Sequence, residues 1–296
     1  EPGATSLILR GGQRRSGRGG KLSLRLGERG GLVRIAGDLA AEEGAELTCA
    51  DHVTRARMIA KPLEQQVADR YLERQAEYAM LVNRGNRVGR VNGLAVLGAD
   101  SGLSDYSGVV LPVEAMVTPA QGMSSKVIAT GGLSDLANES VINISAVVKK
   151  LTGKDIKDYD LHVQFPGTHN VDGDSASITM ATAIISAFEG VPIEQNLAMT
   201  GSLSVRGEIL PVGGVTAKIE AAAKSGIAKV VIPRANLQDV LVDEKWEKQV
   251  KVLPVDSLDE VLEHALVGAE EKVSLVERLA MVIITISKGT DSQQSA

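Results

Sequence analysis

The chain has 296 residues, of which 44% are hydrophobic, so it has enough apolar material for one or two cores. Its formal net charge of −5 argues against a nucleic-acid-binding protein that relies on a basic surface. Cys49 is the only cysteine, which excludes a disulfide framework and a cysteine zinc site and favours a reducing, cytoplasmic setting.

The first 30 residues or so are rich in glycine and arginine, as in GGQRRSGRGGK (11–21). This composition predicts a flexible basic arm. The arm is not a Walker A loop, because Leu22 stands where serine or threonine is required and Arg15 takes the place of the first glycine. A nucleotide- or DNA-binding module is an alternative suggested by these arginines, against which the acidic net charge and the missing P-loop both weigh.

Helical patterns follow the arm. Leu32, Ile35 and Leu39 recur at helical spacing within 30–45, and Asp51 opens a second helix. A third helix begins at Pro62 and extends to about residue 82. Three such helices with polar outer faces predict a small all-helical unit, which is typical of a docking or linker domain.

After Asn86 the pattern changes and predicts an α+β domain. The predicted strands are 87–98, 108–120, 125–132, 160–167, 205–210, 229–233 and 250–253. The predicted helices are 138–153, 175–189, 214–225 and 258–266, the last opened by a capping box of Ser257 and Glu260. No apolar run reaches the roughly 18 residues that cross a bilayer, so we expect no transmembrane segment in this chain.

A turn rich in aspartate precedes the helix predicted at 175–189. Asp174 is the predicted N-cap of this helix, and Ser175 lies in its first turn, beside unpaired backbone N–H groups that suit an oxyanion or a phosphate. Serines at such positions are common, so a purely structural role for Ser175 is the alternative. A nucleophilic serine also requires a base.

Lys218 is the predicted base. It lies in GGVTAKIEAAAKSG (213–226), where Val215, Ile219 and Ala222 provide apolar neighbours at helical spacing. A lysine accepts a hydroxyl proton when apolar burial keeps its amine neutral. Histidine is the more usual base, but nothing in the spacing of the histidines predicts a Ser-His-Asp arrangement.

Three segments give the sequence a specific resemblance. DGDSAS (172–177), MTGSLSVRGEILPVGGVTAK (199–218) and AAAKSGIAKVVIP (221–233) resemble the proteolytic domain of the Lon proteases, and most of all its archaeal B type. In that family the corresponding serine and lysine form a Ser-Lys dyad. The resemblance therefore implies that Ser175 is the nucleophile and Lys218 the general base of a serine endopeptidase that cleaves unfolded proteins.

The resemblance also implies the domain organisation. The proteolytic domain occupies 81–270, with an α+β fold of the ribosomal protein S5 domain 2 type, and 271–296 form a C-terminal tail. Residues 1–80 resemble the helical subdomain that ends the AAA+ ATPase module, in which Arg34 takes the place of the sensor 2 arginine that contacts ATP. Because the Walker A and B motifs are missing, we expect a fragment of a longer polypeptide, with an unusual truncated member as the alternative. In either case we expect that the chain does not bind ATP and magnesium by itself.

Further residues receive roles from the resemblance. Thr200 would orient the lysine, Asp172 would pair with it in a resting state, and backbone groups around Asp174 would help to bind the oxyanion. His162 occupies a position where bacterial relatives have a histidine pair, but Gln164 replaces the second one, which leaves its catalytic role in doubt. His169 and His264 are interpreted as surface residues, Arg206 and Glu208 as supports of a turn, and no spacing indicates a metal site.

The family assembles as a homohexamer that threads substrates with ATP, and some members attach to a membrane through a segment outside this chain. We therefore expect a homohexamer, a cytoplasmic location and a peptidase reaction that needs no cofactor. An ATP-independent peptidase or an inactive Lon-like scaffold is the alternative, and the presence of both Ser175 and Lys218 argues against the inactive form.

Overall fold

The computed structural model of the chain describes residues 1–18, 20–23, 26–78, 80–97, 107–120, 127–130, 144, 146–149, 159–166, 174–268 and 277. The described part begins with the helices α1 (Pro2–Ser16), α2 (Leu26–Glu42), α3 (Ala50–Ile59) and α4 (Leu63–Glu77). The first three pack around a small apolar cluster of Ala4, Ala36, Val53 and Ala56. The helical interpretation of this region is therefore confirmed.

The prediction of a flexible arm at the N-terminus is wrong for residues 2–16, which form α1. Two interactions stabilise this helix despite its glycines. Leu7 and Ile8 pack on the small apolar cluster. Arg14 lies in ion pairs with Glu220 and Asp243, so its charge is neutralised within the fold instead of being left in water.

A mixed sheet forms the centre of the rest of the chain. Its strands, in spatial order, are β11 (Lys251–Val255), β10 (Lys229–Pro233), β7 (Leu197–Met199), β2 (Arg90–Leu97), β3 (Ser107–Pro119), β5 (Tyr159–Gln164) and β4 (Val127–Thr130). The pairs β2·β3 and β3·β5 are antiparallel and the other neighbours are parallel. Short strands β1 (Asn86–Arg87) and β6 (Ile193–Glu194) pair with each other, as do β8 (Ser202–Leu203) and β9 (Ile209–Leu210).

Helices cover both faces of this sheet. They are α5 (Ser177–Glu189), α6 (Val215–Lys224), α7 (Glu244–Glu247) and α8 (Leu258–Ala265). Alternate residues of β10 belong to different cores, since Val231 packs with the core that contains α5 while Val230 and Ile232 pack with the core that contains α6. Because the side chains of a strand alternate between faces, one sheet separates two apolar cores. The predicted α+β class is confirmed.

Several boundaries differ from the predictions. Residues 205–208 are not part of a strand but the turn between β8 and β9, because Gly207 has a φ of 94° and Ser204 Oγ accepts hydrogen bonds from the N–H groups of Arg206 and Glu208. Within the helix predicted at 138–153, the described residues 144 and 146–149 are helical.

Helix α4, the last of the N-terminal helices, packs against the sheet. Ala68 belongs to the core that contains α5, and the Gln75 side chain donates a buried hydrogen bond of 2.9 Å to the Val110 carbonyl oxygen of β3. Asp69 on the same helix accepts hydrogen bonds from Lys61 and Lys224, each at 2.8 Å. Helix α4 is thus joined to the sheet by apolar packing and a buried hydrogen bond, and to α6 by an ion pair.

Among the residues that the structure describes, no helix combines the length and the apolar character that crossing a membrane would require.

Asp69 should stabilise the fold in a pH-dependent way. Burial alone would raise the pKa of this carboxyl, but hydrogen bonds from Lys224, Lys61 and Gln65 lower it from its ordinary 3.8 to about 2. Because the folded-state pKa lies below the unfolded one, the stabilisation is present above about pH 4 and is lost as the pH falls towards about 2. Replacing Asp69 with asparagine should lower the free energy of unfolding by about 1 kcal/mol at neutral pH, a value reduced by solvent screening.

Urea unfolding of the parent and of Asp69→Asn, at neutral pH and at successively lower pH, measures this difference. The same substitution at the exposed Asp38 is the control and should leave stability unchanged. A stability deficit that stays constant as the pH falls below about 4 would contradict the assignment.

Candidate active site

Ser175 lies in a single 3-10 turn, Asp174–Ala176, that leads into α5. The N-cap of α5 is Ala176, which has no side-chain cap, so the prediction that Asp174 caps this helix is wrong. The reason is that the Ser175 carbonyl oxygen accepts a hydrogen bond of 3.0 Å from the Gly201 N–H and another from Thr200. These bonds hold Ser175 in a separate turn, where it is half-buried.

Lys218 lies near the start of α6 and is among the most deeply buried large side chains in the described residues, with 1% exposure. The helix begins after Gly214, whose φ of 67° is a left-handed conformation that glycine adopts at little cost. Val215, Ile219 and Ala222 bury the same helix against the sheet, as their spacing predicts. The prediction that apolar neighbours surround Lys218 is therefore confirmed.

Gly108 on β3 permits α6 to approach the sheet closely. A Cβ atom at this position would lie 2.0 Å from the Ala217 carbonyl oxygen and 2.9 Å from the Lys218 nitrogen. Because these are backbone atoms, no side-chain rotation could relieve the clash. The backbone of the lysine-bearing helix therefore rests on this glycine.

Thr200 connects the lysine to the serine turn. Lys218 Nζ donates a hydrogen bond of 3.0 Å to Thr200 Oγ1, which in turn donates one of 3.1 Å to the Ser175 carbonyl oxygen. Thr200 is fully buried, and its N–H donates to the Val231 carbonyl oxygen of β10, so the sheet fixes its position. Ser175, Thr200 and Lys218, which come from three separate segments, thus meet in one hydrogen-bonded group.

Ser177 is a residue of this site that the sequence reasoning missed. Its buried hydroxyl donates to the Gly201 carbonyl oxygen at 3.4 Å and accepts a hydrogen bond of 2.7 Å from the Leu203 N–H. It thereby fastens the segment after Thr200 to the start of α5. The sequence does place Ser177 two residues after Ser175, within the motif DGDSAS. Helix periodicity, however, predicts only that Ser177 faces the core and gives it no role in the site.

The other predicted residues lie elsewhere or outside the description. Arg34 is exposed on α2, an element separate from those that carry Ser175, Thr200 and Lys218. His162 lies on β5 opposite Met116, and His264 lies near the end of α8. Asp172, His169 and the side chain of Asp174 are outside the described residues. Within the described ranges, no group of histidine, cysteine, aspartate or glutamate side chains is arranged to hold a metal ion.

Comparison with known proteins gives matches over most of the chain. The family model of the Lon protease (S16) C-terminal proteolytic domain matches residues 63–268. Proteins named archaeal Lon protease from Thermoplasma volcanium and Archaeoglobus fulgidus are each 51% identical over 93% of this chain. The alignments cover 42% and 44% of those relatives, so the chain spans less than half of their length. A Lon protease of Azorhizobium caulinodans is 33% identical over 67% of this chain and 23% of its own.

The hydroxyl of Thr200 should be needed for the stability of the site. We expect Thr200→Val, which keeps the shape, to lower the free energy of unfolding by about 1 to 3 kcal/mol, because Lys218 and the Ser175 carbonyl each lose a buried partner. Thr200→Ser keeps the oxygen and is the matched control. Urea unfolding at neutral pH compares the two variants, and a valine variant at least as stable as the serine variant would rule out this role.

Proposed function

Because the chain belongs to the Lon protease family through its C-terminal proteolytic domain, we propose that it is a serine endopeptidase with Ser175 as nucleophile and Lys218 as general base. The observation that carries the proposal is the hydrogen-bonded connection from Lys218 through Thr200 to the turn that contains Ser175. A buried lysine near a half-buried serine matches what an amine base and an accessible hydroxyl nucleophile require.

The proposed role of Lys218 requires a neutral amine. Burial disfavours the charged form of a lysine, since the ammonium loses its hydration. Thr200 Oγ1 gives its own hydrogen to the Ser175 carbonyl oxygen and therefore presents a lone pair to Lys218 Nζ. Donation of one hydrogen to Thr200 holds the amine in a fixed direction, and the proposed reaction requires that its lone pair accept the Ser175 hydroxyl proton.

In the proposed reaction, Lys218 takes the hydroxyl proton of Ser175 as the oxygen attacks the carbonyl carbon of a peptide bond. The resulting oxyanion is bound by backbone N–H groups at the 174–176 turn. When the intermediate collapses, the C–N bond breaks and Lys218 gives its proton to the leaving amine. Water then repeats these steps on the acyl-enzyme, releases the second product and restores Ser175.

The remaining predictions about the site are part of the proposal. Asp172 would pair with Lys218 in a resting state and hold it protonated, which would make the salt bridge and the dyad alternative states. The substrates would be unfolded polypeptides, and the longer protein would act as an ATP-dependent homohexamer with an S5 domain 2-like protease fold. Arg34 offers one exposed cation and the sequence has no phosphate-binding loop, so ATP is not expected to bind this chain alone.

Replacing either dyad residue should abolish peptide hydrolysis. We expect Ser175→Ala and Lys218→Met each to lower kcat at least about 1,000-fold, because the nucleophile or its base is lost. The assay uses an unstructured fluorogenic peptide and the parent chain without ATP, over a range of pH.

Two matched controls belong to this assay. Lys248→Met alters an exposed lysine outside α6, and Ser225→Ala alters the residue that follows α6, so both should keep parental activity. Hydrolysis that persists in Ser175→Ala would refute the assignment. An inactive parent that becomes active in Asp172→Asn would support the resting-state pairing, whereas a parent and Asp172→Asn that are both inactive would favour the scaffold alternative.

A further inference from the structure

The outer side of α6 carries a row of residues that hold the helix from beyond the sheet. Thr216, Glu220 and Lys224 follow one another at intervals of four residues, so they lie along one face of the helix. Each of them is bonded to a different element. Thr216 Oγ1 donates to the Asp239 carbonyl oxygen, and Lys224 donates to Asp69 of α4, at 2.9 and 2.8 Å.

The middle contact of this row is made by Arg14 of α1. One of its terminal nitrogens lies 2.6 Å from both carboxylate oxygens of Glu220, and the other lies 2.7 Å from Asp243 Oδ2. The side chains of Arg14 and Glu220 are each only 15% exposed. Arg14 places its two terminal nitrogens on two different carboxylates, an arrangement that the single nitrogen of a lysine would not reproduce.

The charges of this contact support one another. Burial opposes the charge of Arg14, but Glu220 and Asp243 together raise its pKa above the ordinary value. Burial also favours the neutral form of Asp243, but Arg14 lowers the pKa of that carboxyl. Loss of Arg14 would therefore leave Glu220 and Asp243, two carboxylates of low exposure, without their main cation.

This contact lies across the helix from the proposed base. Successive residues of an α-helix are about 100° apart, so Glu220 projects about 200° around the axis from Lys218. A change in the contact at Glu220 that rotates the helix therefore also moves Lys218, on the other side of the axis. Displacements of about 1 Å at a reacting group can reduce a rate about 100-fold.

We propose that Arg14 is a positioning residue, which holds α6 in the rotation that directs Lys218 towards Thr200 and the Ser175 turn. The effect of Arg14 on catalysis rests on the proposed function. That Arg14 holds α6 in place rests only on the contacts between α1 and α6. Helix α1, outside the matched family domain of 63–268, is on this view a working part of the peptidase. A displacement of α1 would change the reach of the base without touching the substrate.

The experiment combines kinetics with hydrogen–deuterium exchange of the whole chain. We expect Arg14→Met to lower kcat for the unstructured peptide at least about 10-fold with KM unchanged, because Lys218 is misplaced while the substrate surface is intact. Exchange of the amides of 215–224 should rise in the same variant. Arg14→Lys keeps the charge but has only one nitrogen for the two carboxylates. Its kcat and its amide exchange should therefore lie between those of the parent and of Arg14→Met.

The controls separate positioning from general stability. Arg18→Met removes a charge from the exposed end of the same segment and should change neither measurement. Glu220→Gln breaks the contact from its other side, and adding it to Arg14→Met should produce little further loss because one interaction is removed in both. All assays are run well below the melting temperature of each variant, where a merely structural role would leave kcat unchanged.

The outcomes distinguish this proposal from the dyad assignment. If amide exchange of 215–224 is the same in Arg14→Met as in the parent, the Arg14 proposal is overturned, whatever the activity. If exchange increases but kcat is unchanged, Arg14 holds the helix but does not position the base. Activity that does not depend on Ser175 would refute the proposed function alone. In that case, or with an inactive parent, exchange in Arg14→Met compared with Arg18→Met decides whether Arg14 holds the helix.

Discussion

The buried amine of Lys218 is the constraint on which the architecture of the site depends. At 1% exposure the amine has lost its contact with water, and it needs hydrogen-bonding partners within the protein. Thr200 is one such partner, and its position is fixed by the backbone hydrogen bond to Val231 on the neighbouring strand. The close approach that brings Lys218 to Thr200 requires a glycine at position 108, because any side chain there would collide with the backbone of α6.

The serine turn is arranged by hydrogen bonds that replace ordinary helix capping. The Ser175 carbonyl oxygen bonds to Thr200 and Gly201, and the Ser177 hydroxyl connects Gly201 with Leu203. These contacts tie the start of α5 to the segment that follows β7. As a result Ser175 is held in a short, half-buried turn at the edge of a deeply buried polar group, so its backbone is fixed while part of the residue is exposed to solvent.

The N-terminal helices are joined to the site through charge as well as packing. The arginines of the first 16 residues look like a free basic surface in the sequence, yet Arg14 is directed at carboxylates of the sheet-packed region and Arg10 at the Val242 carbonyl oxygen. Helix α4 makes a similar link with the charges exchanged, since its carboxylate Asp69 pairs with Lys224 of α6. Such links explain why an acidic chain can carry an arginine-rich start without exposing all of its positive charge.

The sequence by itself determined the secondary structure of the longer elements, the family, and the identity of Ser175, Thr200 and Lys218 as candidates, because periodicity and an extended motif are local properties of the chain. It failed for α1, whose glycine-rich composition hides a helix that is stabilised by distant carboxylates. It also misplaced the start of α5, which follows Ala176 because the Ser175 carbonyl oxygen is bonded to Thr200 and Gly201. It also gave no sign that Gly108 supports Lys218 or that Arg14 contacts Glu220. Those relationships join residues about 100 or more positions apart, and only the tertiary structure decided them, because packing across the sheet brings such residues together regardless of their local sequence.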